Sequence, residues 1–330
     1  MTTILVTGGA GFIGSHTLLA LKASGYQPVV IDDLSNGHAD AVGDVPLVHG
    51  DIRDRALLDR VFSAHGIGAV IHFAASIEAG VSVREPLAFY DNNVGGSLAL
   101  LSAMKDHGVD RLVFSSTAAV YGQAGDAPLT EGLPKAPVNP YGQTKWAAEC
   151  MIRDAATAHG LQAIALRYFN AAGADPEGRA GERHEPETHL IPLVLEVAAG
   201  KRDAIRMFGT DYATPDGTCV RDYVHVADLA AAHVRALQRL EAGGDRPAVE
   251  AFNLGSGSGF SVRQVIEAAR RVTGHPIPVT EEARRAGDPP VLVADPALAR
   301  AVLGWTPDWP ALDDMIAHAW HFLQARAAAA

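Results

Sequence analysis

Short apolar runs separated by amphipathic stretches set the rhythm of the first half of the chain. Ile4-Leu5-Val6, Pro28-Val29-Val30-Ile31, Val45 to Gly50, Ala69 to Ala75, Arg111-Leu112-Val113-Phe114 and Gln162 to Asn170 are short, and most are rich in β-branched residues. Several are apolar without alternation, which predicts strands buried on both faces of a parallel sheet. Between them apolar residues recur at helical spacing: Phe12, Ile13, Thr17, Leu18 and Leu21, then Arg55 to His65. A further helix is predicted from Asn92 to His107, with Val94, Leu98, Leu101 and Met104 on one face, and another over Trp146 to Ala158. Strand and helix alternating at this cadence predict an α/β fold, a doubly wound parallel sheet of Rossmann type. Gln162 to Asn170 is expected to close that sheet.

Beyond Asn170 the pattern changes. Ala171 to Thr188 is rich in Gly, Pro and charge and has no strong period, so a domain boundary is expected there. Residues 1–170 read as the sheet domain. Residues 171–330 read as a smaller C-terminal α/β domain, with residues 220–240 packing back on the first. Helices are predicted over Leu190 to Gly200, Ala227 to Leu240 and Ser261 to Thr273, a strand over Val220 to Val226, and a frayed end at Ala327 to Ala330.

Charge and cysteine content narrow the function classes. The 330 residues carry 27 basic and 38 acidic side chains, a net charge of −11, with no polybasic run. Nucleic acid and anionic membrane are therefore not expected as partners. Two cysteines far apart in sequence suggest neither a disulfide framework nor a cysteine-based zinc site, and no metal is expected. Met1-Thr2-Thr3 runs straight into a strand and no apolar stretch approaches membrane-spanning length, so a soluble cytoplasmic protein is expected.

The chemistry gathers at predicted strand ends, where ligands of open α/β sheets bind. Gly8, Gly11 and Gly14 follow the first strand and open the first helix, with Phe12 and Ile13 between them. Such a turn keeps side chains away, so backbone N–H groups and the positive helix end can face a pyrophosphate. Asp32 ends the next strand, 18 residues past Gly14. A carboxylate there accepts from both adenosine ribose hydroxyls and repels a 2′-phosphate, which favours NAD over NADP. Asp33, Leu34, Asn36 and Gly37 form a polar turn that would wrap the adenosine end. Asp51, ahead of Ile52, could accept from the adenine amino group or satisfy N–H groups at a helix start. His72 reads as a packed strand histidine. Asn92 and Asn93 could bond the cofactor or cap their helix. Ser115-Ser116-Thr117 ends the fifth run, and Tyr141 and Lys145, four residues apart, share one helix face. A phenol is a poor base at neutral pH, but a neighbouring ammonium and a bound nicotinamide cation favour its phenolate.

Together these residues resemble the extended short-chain dehydrogenase/reductase family, over nearly the whole chain. The resemblance extends to Arg167-Tyr168-Phe169-Asn170, Met207 to Tyr212, Val220 to Val226, Phe252 to Gly255 and Arg284-Arg285-Ala286-Gly287-Asp288. It implies NAD as cofactor, 4-epimerisation of a UDP-hexose through a 4-keto sugar, and a homodimer. It makes Tyr141 the catalytic base, Lys145 its partner and Thr117 the group that bonds the sugar's 4-oxygen. Phe73, Ala74, Asn92, Ser115 and Phe169 become contacts near the nicotinamide. Asn170, His189, Leu190, Phe208, Arg221, Arg285 and Asp288 become contacts of the UDP-sugar, and Leu292 borders the hexose. Dehydratases of the family carry Asp-Glu directly after the Thr. Here Ala118 and Ala119 follow, so elimination lacks its acid and base. Ile77 stands where some members carry lysine, and His189 where several carry Asn.

Overall fold

A computed structural model of the chain describes residues 2–123, 125, 127–285 and 288–329. Ala286 and Gly287 of the arginine motif and Ala330 of the expected frayed end lie outside the described residues.

β1 (Thr3–Thr7) leads through the glycine turn into α1 (Phe12–Ala23), followed by β2 (Gln27–Asp32), β3 (Leu47–His49), α2 (Arg55–His65) and β4 (Ile67–His72). A broken helical run follows: α3 (Ala79–Arg84), α4 (Pro86–Phe89), a π-helical turn at Tyr90–Gly95 and α5 (Gly96–Asp106). Next come β5 (Arg111–Thr117), α6 (Pro140–His159), β6 (Gln162–Tyr168), β7 (Asn170–Ala172), α7 (Leu190–Ala198), β8 (Ile205–Phe208) and β9 (Val220–His225). The remainder comprises α8 (Val226–Ala242), β10 (Val249–Leu254), β11 (Gly259–Ser261), α9 (Val262–Thr273), β12 (Val279–Glu282), β13 (Val291–Leu292), α10 (Ala297–Leu303) and α11 (Leu312–Ala329).

Seven strands form one sheet in the order β10-β6-β5-β4-β1-β2-β3, every pair parallel. Continuous apolar sequence serves both faces. Ile4 and Val6 of β1 enter the cluster that holds Leu18 and Leu21 of α1 with Leu229 and Leu237 of α8. Leu5 enters the opposite cluster with Leu58 of α2, Leu100 of α5 and Ile152 of α6. The strand order reverses between β1 and β4, which opens a crevice at their carboxyl ends. A smaller β11-β9-β13 group, joined by β7, and a β12-β8 pair surround a third apolar cluster with α7, α9 and α11.

Four local expectations change. The sheet does not close at β6: β10 lies outside it, pairing Ala251 with Ala165. This contact is distant in sequence, so local periodicity carries no trace of it. Asn92 and Asn93 do not start a helix, because the helical run is already under way and passes through the π turn around them. Behind that turn Leu100, Ala103 and Met104 are buried while Leu98 is 56% exposed. The apolar stripe read from the sequence is thus split between core and surface. α6 starts at Pro140, ahead of Tyr141 and Lys145 as their shared helix face requires, since the Asn139 side chain accepts from the Gly142 N–H at 2.8 Å and caps it. α11 continues helically through Ala327 to Ala329.

Candidate functional site

The cleft at the strand ends begins with the glycine turn. Gly8 has φ +73°, and a Cβ there would lie 2.6 Å from the Ala74 nitrogen. A Cβ on Gly14 would lie 2.2 Å from the Gly8 carbonyl oxygen, so turn and helix close only on glycine. Gly11 is the N-cap of α1 without a side-chain cap, and the first turn carries no acidic residue. The positive helix end therefore faces the cleft bare. Asp32, 7% exposed, holds this edge: one carboxylate oxygen accepts from the Ala10 N–H and the other from the Leu34 N–H, both at 2.9 Å. Burial pushes its carboxyl up. Leu34 takes φ 59° to make that bond and does not itself line the cleft.

Gly8, Gly11, Phe12, Ile13, Gly14, Asp32, Asp33, Asn36, Gly37, Asp51 and Ile52 line one half of the cleft. Asp51 accepts from the Arg53 backbone N–H at 2.8 Å, while Asp54 caps α2 by accepting from Leu57 at 3.0 Å. The helix-cap reading of Asp51 therefore falls to its neighbour. His72 is a packed residue as expected, its ring bonded to Thr7 at 2.7 Å and Ser97 at 3.0 Å. Burial pushes it down to about 3, so it stays neutral.

The other half of the cleft is lined by Phe73, Ala74, Asn92, Ser115, Thr117, Tyr141, Lys145, Phe169, Asn170 and His189. β5 supplies Ser115 and Thr117, and α6 sets Tyr141 and Lys145 one turn apart beside them. The Tyr141 phenol and the Thr117 hydroxyl line the cleft together, with Thr117 placed to favour the phenolate. The Lys145 ammonium, buried, donates to the Ser115 carbonyl at 3.0 Å and lies 5.1 Å over the Phe114 ring. Burial pushes Lys145 down to about 7 and pushes the Tyr141 phenol up, against the weaker pull of Thr117. Both groups lose water together, and desolvation sets the direction of each; the phenolate expected at this corner calls on a bound nicotinamide cation as well as the lysine. Asn93, buried, accepts from Ser76 and donates to the Ser76 carbonyl and Thr144, which fastens the loop after β4 to α6.

Beneath this corner runs a buried ionic network. Glu149 accepts from Ser116 at 2.6 Å and from two nitrogens of Arg167 at 2.8 and 2.6 Å. Arg167 also donates to the Tyr121 hydroxyl at 2.9 Å, which donates to Asn253 at 2.6 Å. β5, α6, β6 and β10 are thereby locked together below the Thr117 strand end.

The remaining candidates sit apart from the cleft lining. Arg285 stacks on Phe208, guanidinium carbon 3.9 Å from the ring centroid. Arg221 lies 3.5 Å from Asp288 and donates to the Val220 and Pro289 carbonyls at 2.9 Å. Leu190 opens α7 and packs on the third core cluster. Leu292 packs against the small cluster of Val120, Tyr121 and Leu129, as does Phe169, which lines the cleft.

Sequence reasoning missed Tyr168, Glu182 and His184, which also line the cleft. Tyr168 is bonded through its hydroxyl to Ser115. Glu182 and His184 belong with Glu187 and His189 to a group whose ligand atoms lie within 4.8 Å of one another. Their signal was the spacing Glu-x-His-x-x-Glu-x-His. Burial would lower His189, but its bonds to Glu182 and Glu187 prevail and raise it to about 10.

A glycine-closed turn, a carboxylate at the second strand end and a Thr-Tyr-Lys corner across the same crevice define a dinucleotide-dependent enzyme of Rossmann type. The chain belongs to the NAD dependent epimerase/dehydratase family, whose sequence model matches residues 4–255. It is 54% identical to a UDP-glucose 4-epimerase of Halalkalibacterium halodurans over 97% of this chain and 95% of that one. It is 53% identical to a UDP-glucose 4-epimerase of Rhizobium meliloti over 98% and 97%. The crystal structure of UDP-glucose 4-epimerase from Brucella ovis in complex with NAD superposes with a TM-score of 0.94, at 51% identity over 98% of both chains.

Proposed function

We propose that the chain interconverts UDP-glucose and UDP-galactose by NAD-dependent 4-epimerisation through a 4-keto sugar. The single observation that carries this reading is the convergence of Thr117, Tyr141 and Lys145 in the same cleft as the glycine turn and Asp32. The names of the relatives, at about half identity over nearly full length, support it.

The residues present fit the cofactor. The turn at Gly8 and Gly14 has no room for a Cβ, the helix end is uncapped, and Asp32 faces the cleft. NAD is the cofactor, and when bound it supplies a hydride acceptor and donor for the sugar C4. Gly11 to Gly14 would hold its pyrophosphate, Asp32 the adenosine ribose, and Asn92, Ser115 and Lys145 the nicotinamide half.

In this reading Tyr141 takes the 4-hydroxyl proton and later returns it, while Thr117 donates to the C4 oxygen. Lys145 in its charged form steadies the phenolate. Asn170, His189, Leu190, Phe208, Arg221, Arg285 and Asp288 hold the UDP group firmly, which leaves the hexose free to present its other face. Residues 1–170 then serve mainly the cofactor and residues 171–330 the UDP-sugar. Val83, Leu87, Tyr90 and Leu98, exposed at 63, 82, 39 and 56%, favour a homodimer through α3 to α5. Among the described residues no helix is long and apolar enough to cross a membrane, and we assign the chain to the cytoplasm.

The experiment is to denature the purified protein, assay released NAD, and follow exchange between UDP-glucose and UDP-galactose without added cofactor. Release of NAD together with exchange is expected. NAD without exchange would remove the epimerase assignment and leave only dinucleotide binding.

A further inference from the structure

Outside the Thr-Tyr-Lys corner, four side chains of the loop ahead of α7 aim at one point. His184 Nδ1 lies 3.0 Å from Glu182 Oε1 and 3.9 Å from Glu187 Oε2. His189 Nδ1 lies 2.8 Å from Glu182 Oε1 and 3.0 Å from Glu187 Oε1. The two carboxylate side chains are only 7 and 6% exposed. Arg183, between two of the four, turns the other way to bond Asp40 at 2.8 and 2.9 Å, as alternation along extended chain requires.

We propose that Glu182, His184, Glu187 and His189 form a binding site for one divalent cation of the zinc type.

Charge is the first argument. With both imidazoles neutral, two carboxylates leave a charge of −2 in a largely buried place. With His189 alone protonated between its two carboxylate partners, one negative charge is left uncompensated, and with both rings protonated two imidazoliums stand with centroids 5.1 Å apart. A single divalent cation neutralises both carboxylates and leaves both rings neutral. Geometry is the second. Tetrahedral zinc with bonds of about 2.0–2.1 Å places its donors roughly 3.3–3.5 Å apart. The four His–Glu pairs, 2.8 to 3.9 Å, bracket that spacing, and all the donor atoms lie within 4.8 Å of one another. Two imidazole nitrogens with two carboxylate oxygens suit zinc and its neighbours, whereas magnesium and calcium prefer all-oxygen shells.

The site also has a bearing on the cleft. Glu182, His184 and His189 line it, and the His184 ring stands edge-on to Phe12 of the glycine turn, centroids 6.5 Å apart. A cation there offsets carboxylate charge that would oppose an anionic dinucleotide. That consequence rests on the proposed function, but the site itself does not.

The test is metal uptake by the full-length protein, stripped with a chelator, titrated with Co²⁺ alone and then competed with Zn²⁺. One Co²⁺ per chain is expected, with the intense visible bands of a four-coordinate nitrogen–oxygen site and displacement by Zn²⁺. His184→Gln and Glu187→Gln are each expected to weaken uptake at least tenfold while circular dichroism stays that of the parent. Should a variant fail to fold, the parent titration still decides, because absence of stoichiometric uptake overturns the proposal. Undiminished uptake in a folded His184→Gln/His189→Gln double variant puts the ion elsewhere and overturns it too. Activity is not read, so this site and the epimerase reading stand or fall separately.

Discussion

Lys145 reaches from α6 to the Ser115 carbonyl on β5, a 3.0 Å hydrogen bond that ties the helix carrying Tyr141 to the strand ending in Thr117. Burial holds this ammonium at about 7 instead of 10.5. Between those values the unfolded chain binds a proton that the folded chain releases, so stability rises with pH across the window. The penalty is full below about 7 and relieved above 10.5. Urea unfolding from pH 7 to 9.5 is expected to show a slope more positive in the parent than in Lys145→Met, by up to about 1.4 kcal/mol per pH unit. Equal slopes would mean that Lys145 is more solvated than its surroundings indicate.

Tyr141→Phe keeps the ring and removes the proton carrier. Turnover is expected to fall on the order of 10²- to 10⁴-fold, with UDP affinity retained in calorimetry. A rate near that of the parent would move the base elsewhere.

Arg285 covers the Phe208 face without approaching Thr117 or Tyr141. Arg285→Ala is expected to raise KM for UDP-sugars about tenfold or more, the scale of a lost charge-assisted bond, with kcat little changed. Lysine should restore only part of this, because it cannot stack as a planar fork does. A change confined to kcat would disprove the assignment.

Glu149 neutralises Arg167 in the core, both side chains 2% exposed. Removing one partner strands the other, so Glu149→Ala should lower unfolding free energy by about 3–5 kcal/mol. Replacing both by apolar residues of similar volume should do less harm. Denaturant titration of the single and double variants separates the two cases.

Leu292 and the cleft residue Phe169 share the packing cluster of Val120, Tyr121 and Leu129. The parent is expected to act on UDP-N-acetylhexosamines at a reduced rate and Leu292→Tyr to lose that activity, measured as kcat/KM on both substrate pairs. If the Tyr variant retains it in full, Leu292 does not govern the hexose pocket.

What the sequence made legible was local. The turn from Gly8 to Gly14, the carboxylate at Asp32 and the Tyr141–Lys145 spacing each follow from a few consecutive residues and one period. β10 was invisible as a sheet partner because its pairing with β6 joins distant segments. The Glu149–Arg167 pair was hidden because an arginine on a strand reads as a surface residue until its partner is seen. The split face of α5 followed from the π turn at Tyr90–Gly95, which rotates the helix relative to an uninterrupted 3.6-residue pattern. The Glu182–His189 quartet was legible only as the spacing Glu-x-His-x-x-Glu-x-His, in a stretch without period where nothing local says which way the four side chains turn.

The placement of β10 bears on how the chain is made. Synthesis delivers β1 to β6 first, and until residue 254 has emerged, β6 keeps a row of unpaired backbone groups along its outer edge. A nascent chain stalled or cleaved near residue 170 would carry a hydrophobic sheet with β6 as a second open margin besides β3, ready to pair with its like. The last third of the polypeptide therefore completes the sheet laid down by the first half and moves its open margin from β6 to β10.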